Sequence, residues 1–162
     1  MKRFAILGMI LLLGAIFFPV TPAMAEIGYE VTSGTTTVQI FEDANEFTLY
    51  GEWESLSSGD NTVKFVRVYG TLQRVAFAPV SSASPTASYD ITALDKVGID
   101  CTGGEGTDLS ATAKKTAVPL IAEIVSGATT HHPYVVGGDF TVDVNAAGNE
   151  KQGKWAFTFT RN

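Results

Sequence analysis

The chain has 162 residues and a formal net charge of −6, with 17 acidic residues against 11 basic ones. This balance argues against a nucleic-acid-binding protein, because phosphates are bound by clustered lysines and arginines, and it argues equally against docking on anionic lipid. The acidic residues are scattered along the chain, which is typical of a solvated surface.

Residues 1–25 have the pattern of a secretory signal peptide. Lys2 and Arg3 form a basic start, an apolar run from Phe4 to Phe18 follows, and Ala23-Met24-Ala25 offers a small-residue cleavage pattern. The apolar run is shorter than the roughly 20 residues that a permanent anchor needs. We therefore expect export to the periplasm, the cell surface or the medium, with no membrane association after cleavage. An uncleaved anchor is the alternative.

The rest of the chain predicts a single all-β domain. Weak alternation over residues 26–45 favours an N-terminal arm or an edge strand, and residues 46–162 favour an antiparallel β-sandwich of jelly-roll or immunoglobulin-like type. Apolar residues recur with a period of two in short runs, and turn signals such as SSGDN at 57–61 separate these runs. The predicted inward faces are Phe47/Leu49/Gly51/Trp53, Tyr89/Ile91/Ala93, Phe140/Val142/Val144 and Trp155/Phe157/Phe159.

Two segments between these strands are less regular. Gly70 is expected to separate a strand over Thr62–Tyr69 from a strand over Leu72–Ala78. The Ala and Lys content of residues 110–118 allows one short helix, which Pro119 would end before a strand at 120–125.

The stretch YDITALDKVGIDCTGGEGTD, residues 89–108, is the most conspicuous candidate site. A strand followed by an Asp95–Gly98 turn and a glycine-rich loop accounts for most of it. A calcium site built from Asp95, Asp100, Glu105 and Asp108 is the alternative, although these residues do not have EF-hand spacing. Residues 103–107 lack the lysine of a phosphate-binding loop, which argues against a nucleotide site.

Cys101 is the only cysteine, so an intramolecular disulfide is excluded. We predict that it is a buried apolar side chain rather than a thiol paired with a second subunit.

Four further residues are of types that often bind ligands. Trp53 and Trp155 could stack on a sugar, but their place in apolar faces favours core packing. His131 and His132 point to opposite sides of an extended chain, so they do not chelate one metal easily. We therefore assign no catalytic, cofactor-binding or metal-binding residue, and no cofactor.

Residues 51–161 resemble a family of small β-rich structural proteins of tailed bacteriophages and prophages. The resemblance rests on RVAFAP at 74–79, SPTASYDITALDKVGIDCTGGEGTDLSATA at 84–113, and DFTVDVNAAGNEKQGKWAFTFTR at 139–161. It implies a virion or appendage component without catalytic residues, and the signal peptide is an addition to the family's pattern. The expectation is an exported, non-enzymatic structural protein that contacts protein partners or itself. A secreted carbohydrate- or calcium-binding module is the alternative, and an exported hydrolase ranks third.

Overall fold

The computed structural model describes residues 26–125 and 128–161, and the predicted signal peptide, residues 1–25, lies outside this part of the chain. The described residues form β-strands and one 3-10 turn at Ser81–Ala83. The strands are β1 (Gly28–Ser33), β2 (Thr35–Glu42), β3 (Glu46–Glu54), β4 (Asn61–Pro79), β5 (Asp90–Asp95), β6 (Lys115–Ala117), β7 (Ile121–Val125), β8 (Ala128–His132), β9 (Val135–Asn145) and β10 (Gln152–Thr160). The all-β prediction is confirmed.

A sharp bend in β4 turns one continuous sheet into two layers. Phe65 and Phe77, twelve positions apart, would be separated by about 40 Å in a straight strand. Yet Phe77 pairs with Trp155, and the Trp155 ring lies 5.9 Å from the ring of Phe65. The strand must therefore fold back between them, where the pairing shifts register and Arg67 has a positive φ of 62°.

The two halves of β4 belong to the two layers. The sheet order is β2-β3-β10-β4-β9-β5, with β1 beside residues 62–66 of β4 and β6 beside residues 75–77. One layer therefore contains β2, β3, β10, the second half of β4 and β6, and the other contains β1, the first half of β4, β9 and β5. All pairings are antiparallel, and β7 and β8 form a separate hairpin.

The core lies between the layers and is built from the alternating residues that the sequence indicates. Phe140 of β9 contacts Phe157 and Phe159 of β10 at ring distances of 5.4 and 5.5 Å, although these strands are not hydrogen-bonded to each other. Edge-to-face contacts of this kind add to the burial of apolar area. The predicted inward faces are buried, including Leu49, Trp53, Tyr89, Ile91, Val142 and Trp155.

Two tryptophan–glycine pairs join β3 to β10. Trp155 lies opposite Gly51, and Trp53 lies opposite Gly153. A Cβ atom at Gly51 would lie 2.2 Å from the Trp155 ring, and one at Gly153 would lie 2.4 Å from the Trp53 ring. Each indole thus covers the backbone of the glycine across from it, and any larger residue would displace the ring.

Two local predictions are wrong. Residues 110–118 contain no helix, because Lys115–Ala117 form β6 and pair with Val75–Phe77 of β4. Tertiary pairing overrides the weak helical propensity of this segment. Gly70 does not divide two strands but lies inside β4, where a Cβ would approach the carbonyl oxygen of Thr160 to 2.6 Å.

Candidate functional site

The aspartates of the 89–108 stretch bind the chain's own backbone. Asp95 Oδ1 accepts hydrogen bonds from the N–H groups of Val97 and Ile99, each at 2.9 Å. Asp100 accepts the N–H of Thr102 at 3.0 Å and that residue's hydroxyl at 2.8 Å. These are the bonds of turns capped by aspartate, as the hairpin interpretation expects.

Glu105 and Asp108, the other two acidic residues of the alternative calcium site, make separate contacts. Glu105 pairs with Lys115 at 3.1 Å. Asp108 has a positive φ of 50°, and its N–H donates to Asp90 Oδ1 at 2.8 Å. In the described part of the chain, no three His, Cys, Asp or Glu side chains are grouped so that they could hold a metal ion.

The glycine-rich loop covers the outer edge of β5. The N–H of Ile91 donates to the carbonyl of Gly106 at 2.8 Å, and the N–H of Cys101 donates to the carbonyl of Ala93 at 2.7 Å. A Cβ at Gly106 would lie 1.8 Å from the Ile91 oxygen, so this approach requires glycine. The loop therefore occupies backbone groups that an edge strand would otherwise expose to another chain.

A tyrosine ties this turn to the start of β9. The Tyr134 hydroxyl donates a hydrogen bond to Asp95 Oδ2. Burial alone would raise the pKa of Asp95, but the bonds from Tyr134, Ile99, Val97 and Gly98 outweigh it and hold that pKa below its ordinary value. Burial and the same bond raise the pKa of Tyr134.

Cys101 is buried, as predicted. Burial, with smaller contributions from the charges of Asp95 and Asp100, raises the pKa of the Cys101 thiol to about 12. A thiol in this state is a poor nucleophile at neutral pH, because the thiolate is the reactive form.

The two tryptophans do not form the sugar-stacking surface that was the alternative to core packing. Trp53 and Trp155 are 2% and 1% exposed, so neither ring can stack on a ligand from solvent. Their core placement, which the alternation favours, is confirmed. His131 and His132 are exposed and lie on β8 of the separate hairpin, at successive positions opposite Ala122 and Ile121. Successive residues of a strand face opposite ways, so the two rings diverge.

A polar cluster on the outer face of the first layer was not identified from the sequence. Glu52 Oε1 accepts hydrogen bonds from the Tyr50 hydroxyl and from Lys154 Nζ, both at 2.6 Å. The bond from Lys154 and that from Tyr50 lower the pKa of Glu52. The alternation of β3 indicates that Tyr50 and Glu52 share a face, but only the pairing of β3 with β10 brings Lys154 to them.

The strand β2 has an unpaired edge. β2 pairs with β3 through one edge, and among residues 26–125 and 128–161 no strand pairs with the other edge. The segment TTTVQIFE contains neither proline nor lysine, and its register with β3 has no bulge. Proline, lysine and β-bulges are features that usually protect an edge strand from pairing with other chains, and β2 has none of them. The exposed side chains are those of Thr35, Thr37, Gln39, Phe41 and Glu42.

Side chains at both ends hold β2 in place. The Thr36 hydroxyl donates to Oδ1 of buried Asn61 at 2.9 Å, and Asn61 Nδ2 donates to the Thr35 carbonyl at 3.1 Å. At the other end, Glu42 pairs with Arg161 at 3.2 Å. Both ends of β2 are therefore fixed to neighbouring parts of the fold.

The described residues include no helix long and apolar enough to cross a membrane. Comparison of the chain with models of known protein families gave no match, and comparison with curated proteins also gave none.

Proposed function

We propose that the protein is an exported, non-enzymatic β-sandwich that acts through protein–protein contacts, as a repeated structural subunit of an assembly. The observation that carries this proposal is the ordered and unprotected edge of β2. The resemblance of residues 51–161 to structural proteins of tailed phages supports the same function, and the signal-peptide pattern of residues 1–25 supports export.

The two sides of the sandwich differ in how their edges are treated. On the β5 side, the loop at 99–109 bonds to the strand at several points, and Gly106 makes its close approach feasible. On the β2 side, no strand of the described residues pairs with the far edge of this eight-residue strand. Main-chain hydrogen bonds at such an edge provide affinity for an added strand, while the alternate side chains provide specificity.

The tryptophans and aspartates that a carbohydrate- or calcium-binding module would need already pack in the core or bond to the backbone. Trp53 and Trp155 are in the core. Asp95 and Asp100 accept hydrogen bonds from nearby backbone groups. Contact with a protein through the unpaired edge of β2 would leave the tryptophans in the core and the aspartates in their hydrogen bonds.

Electron microscopy of the native exported fraction tests the proposal, with gold-labelled antibody against the protein and chemical cross-linking of the same sample. We expect gold on particles or filaments and a series of cross-linked products. N-terminal sequencing should find Glu26 as the first residue if the predicted cleavage occurs. A protein that stays in the cell, or that occurs in the exported fraction only as an unlinked monomer, would contradict the proposal.

A further inference from the structure

We infer that β2 pairs antiparallel with β2 of a second copy of this chain, about a two-fold axis through Val38, so that two sandwiches share one continuous layer. This inference rests on the proposed function and identifies the partner and the register. It starts from the position of β2 at the end of the strand order and from the absence of charge over residues 35–41.

The strand β2 is complementary to a second copy of itself. Residues directly opposite each other in an antiparallel pair point to the same side of the sheet. For the half-buried faces of both copies to lie on the same side, the two-fold axis must therefore pass between two copies of the same residue, because side chains alternate with a period of two. An axis through Val38 places Thr37 opposite the partner's Gln39 and Thr36 opposite the partner's Ile40. Uncharged and β-branched cross-strand pairs of this kind stabilise antiparallel sheets.

Charge selects this register. With the axis at Val38, Glu42 falls opposite Gly34 of the other copy, and no charged residue faces another charged residue. Moving the axis to Ile40 would put Glu42 opposite the apolar side chain of Val38, inside the paired segment rather than at its end. That placement is unfavourable because the partner strand would cover the Glu42–Arg161 ion pair, and removing charges from water is costly.

Other edges are poorer candidates for self-pairing. β6 has only three residues, and the edge of β5 is occupied by its own loop. β1 carries Glu30 near its middle, where pairing about an axis through that residue would oppose two carboxylates. Because β2 has eight residues and no charge over residues 35–41, it is better suited than these edges to pair with a second copy.

Paired charge variants test the association. The full chain is expressed as wild type, as Thr37→Lys with Gln39→Lys, and as Thr37→Glu with Gln39→Glu, and each protein is purified and studied by light scattering over a concentration series. The wild type should dimerise with rising concentration. Each variant alone should dimerise at least about tenfold more weakly, because like charges face each other twice across the axis. An equimolar mixture of the two variants should regain association.

A matched control adds the same charges at the opposite edge of the same layer. Thr116 lies on the exposed side of β6, in the cross-strand row that contains Gln39, and Val118 is 60% exposed. Thr116→Lys with Val118→Lys should dimerise like the wild type. Equal loss in this control and in the β2 variant would overturn the inference, since net charge would then be the cause.

Oxidation of cysteine variants tests the register. Two Val38 residues at the axis have Cα atoms about 4.5–5.5 Å apart, which is within the range that a disulfide spans. Two Thr36 residues would be about 14 Å apart along the strands. Val38→Cys should therefore form a covalent dimer at least tenfold faster than Thr36→Cys, with buried Cys101 contributing none. Equal rates would overturn the register.

The outcomes separate this inference from the proposed function. A wild type that is monomeric at every concentration, or a dimer that the double-lysine variant leaves intact, overturns pairing through β2. Gold-labelled assemblies in the native fraction would still support a structural function in either case. Conversely, β2 pairing by the purified protein, together with only free protein in the native fraction, would defeat the proposed function alone.

Discussion

Replacing Gly51 by alanine should destabilise the protein, because the new methyl group would enter the Trp155 indole. The added Cβ would lie 2.2, 2.4 and 2.7 Å from three ring atoms. The ring cannot move away freely, since Trp155 is 1% exposed and is packed against Phe65 and Phe157 at 5.9 and 5.5 Å. Overpacking of a core in this way costs about 1–3 kcal/mol, and the closeness of three contacts places Gly51→Ala near the upper end, about 3 kcal/mol.

Urea unfolding followed by tryptophan fluorescence measures this loss of stability, because both tryptophans are buried in the folded protein. The midpoint should fall while the slope of the free energy with urea stays unchanged. Gly137→Ala is the matched control, since Gly137 also lies in a strand but an added Cβ there meets nothing within 4 Å. The control should be neutral or stabilised by up to about 1 kcal/mol, because alanine restricts the unfolded chain.

A double-mutant cycle tests whether the clash with the Trp155 ring causes the loss of stability. In a Trp155→Phe background the smaller ring leaves room for the methyl group, so Gly51→Ala should cost at least about 1 kcal/mol less than in the wild type. Strictly additive effects would refute the steric argument. A Gly51→Ala protein within about 0.5 kcal/mol of the wild type, which is the range of a neutral surface substitution, would refute it as well.

Three further predictions concern the covered edge of β5. Gly106→Ala should push the loop from the strand, lower stability by about 2–3 kcal/mol and speed amide exchange at Ile91, whereas unchanged exchange would contradict the edge-cover interpretation. Cys101 has a raised pKa in the folded state, so its stabilising contribution is complete below about pH 8.5 and is lost as the pH rises toward about 12. Urea midpoints at neutral pH and at about pH 10 should therefore differ more in the wild type than in Cys101→Ala, and equal differences would contradict this. Tyr134→Phe removes a donor to Asp95 and should cost about 1 kcal/mol at neutral pH, allowing for solvent exposure. Because the pKa of Asp95 is lowered by folding, this cost should shrink as the pH falls below about 3.9, and a cost independent of pH would count against the bond.

Part of the candidate site follows from the sequence. The Asp95–Gly98 turn is predictable because its bonds join neighbouring residues: Asp95 accepts the Val97 N–H, and Gly98 supplies a positive φ of 85°. The function of the following loop is not predictable in the same way. Its bond from Ile91 to Gly106 depends on where a loop settles against a strand, and no local pattern encodes that contact.

The unpaired edge of β2 could not be predicted from local sequence either. Weak alternation over residues 26–45 allows either an arm or an edge strand, because the segment TTTVQIFE has few strongly apolar residues. The order of strands in the sheet is what leaves one side of β2 open, and that order depends on pairing between distant segments. The cluster of Glu52 and Lys154 was missed for this reason too, since the two residues meet only through the β3–β10 ladder.

Within residues 46–160, the sequence by itself determined most of the strands and which of their side chains face inward. Residues such as Leu49, Ile91 and Val142 alternate with polar neighbours, and a period of two is a local property that does not depend on the partner strand. Only the tertiary structure decided where β4 folds back, which glycine lies beneath each tryptophan, and that Lys115–Ala117 become a strand rather than a helix. The physical reason is that these features arise from contacts between residues far apart in the chain, where packing and hydrogen bonding outweigh local propensity.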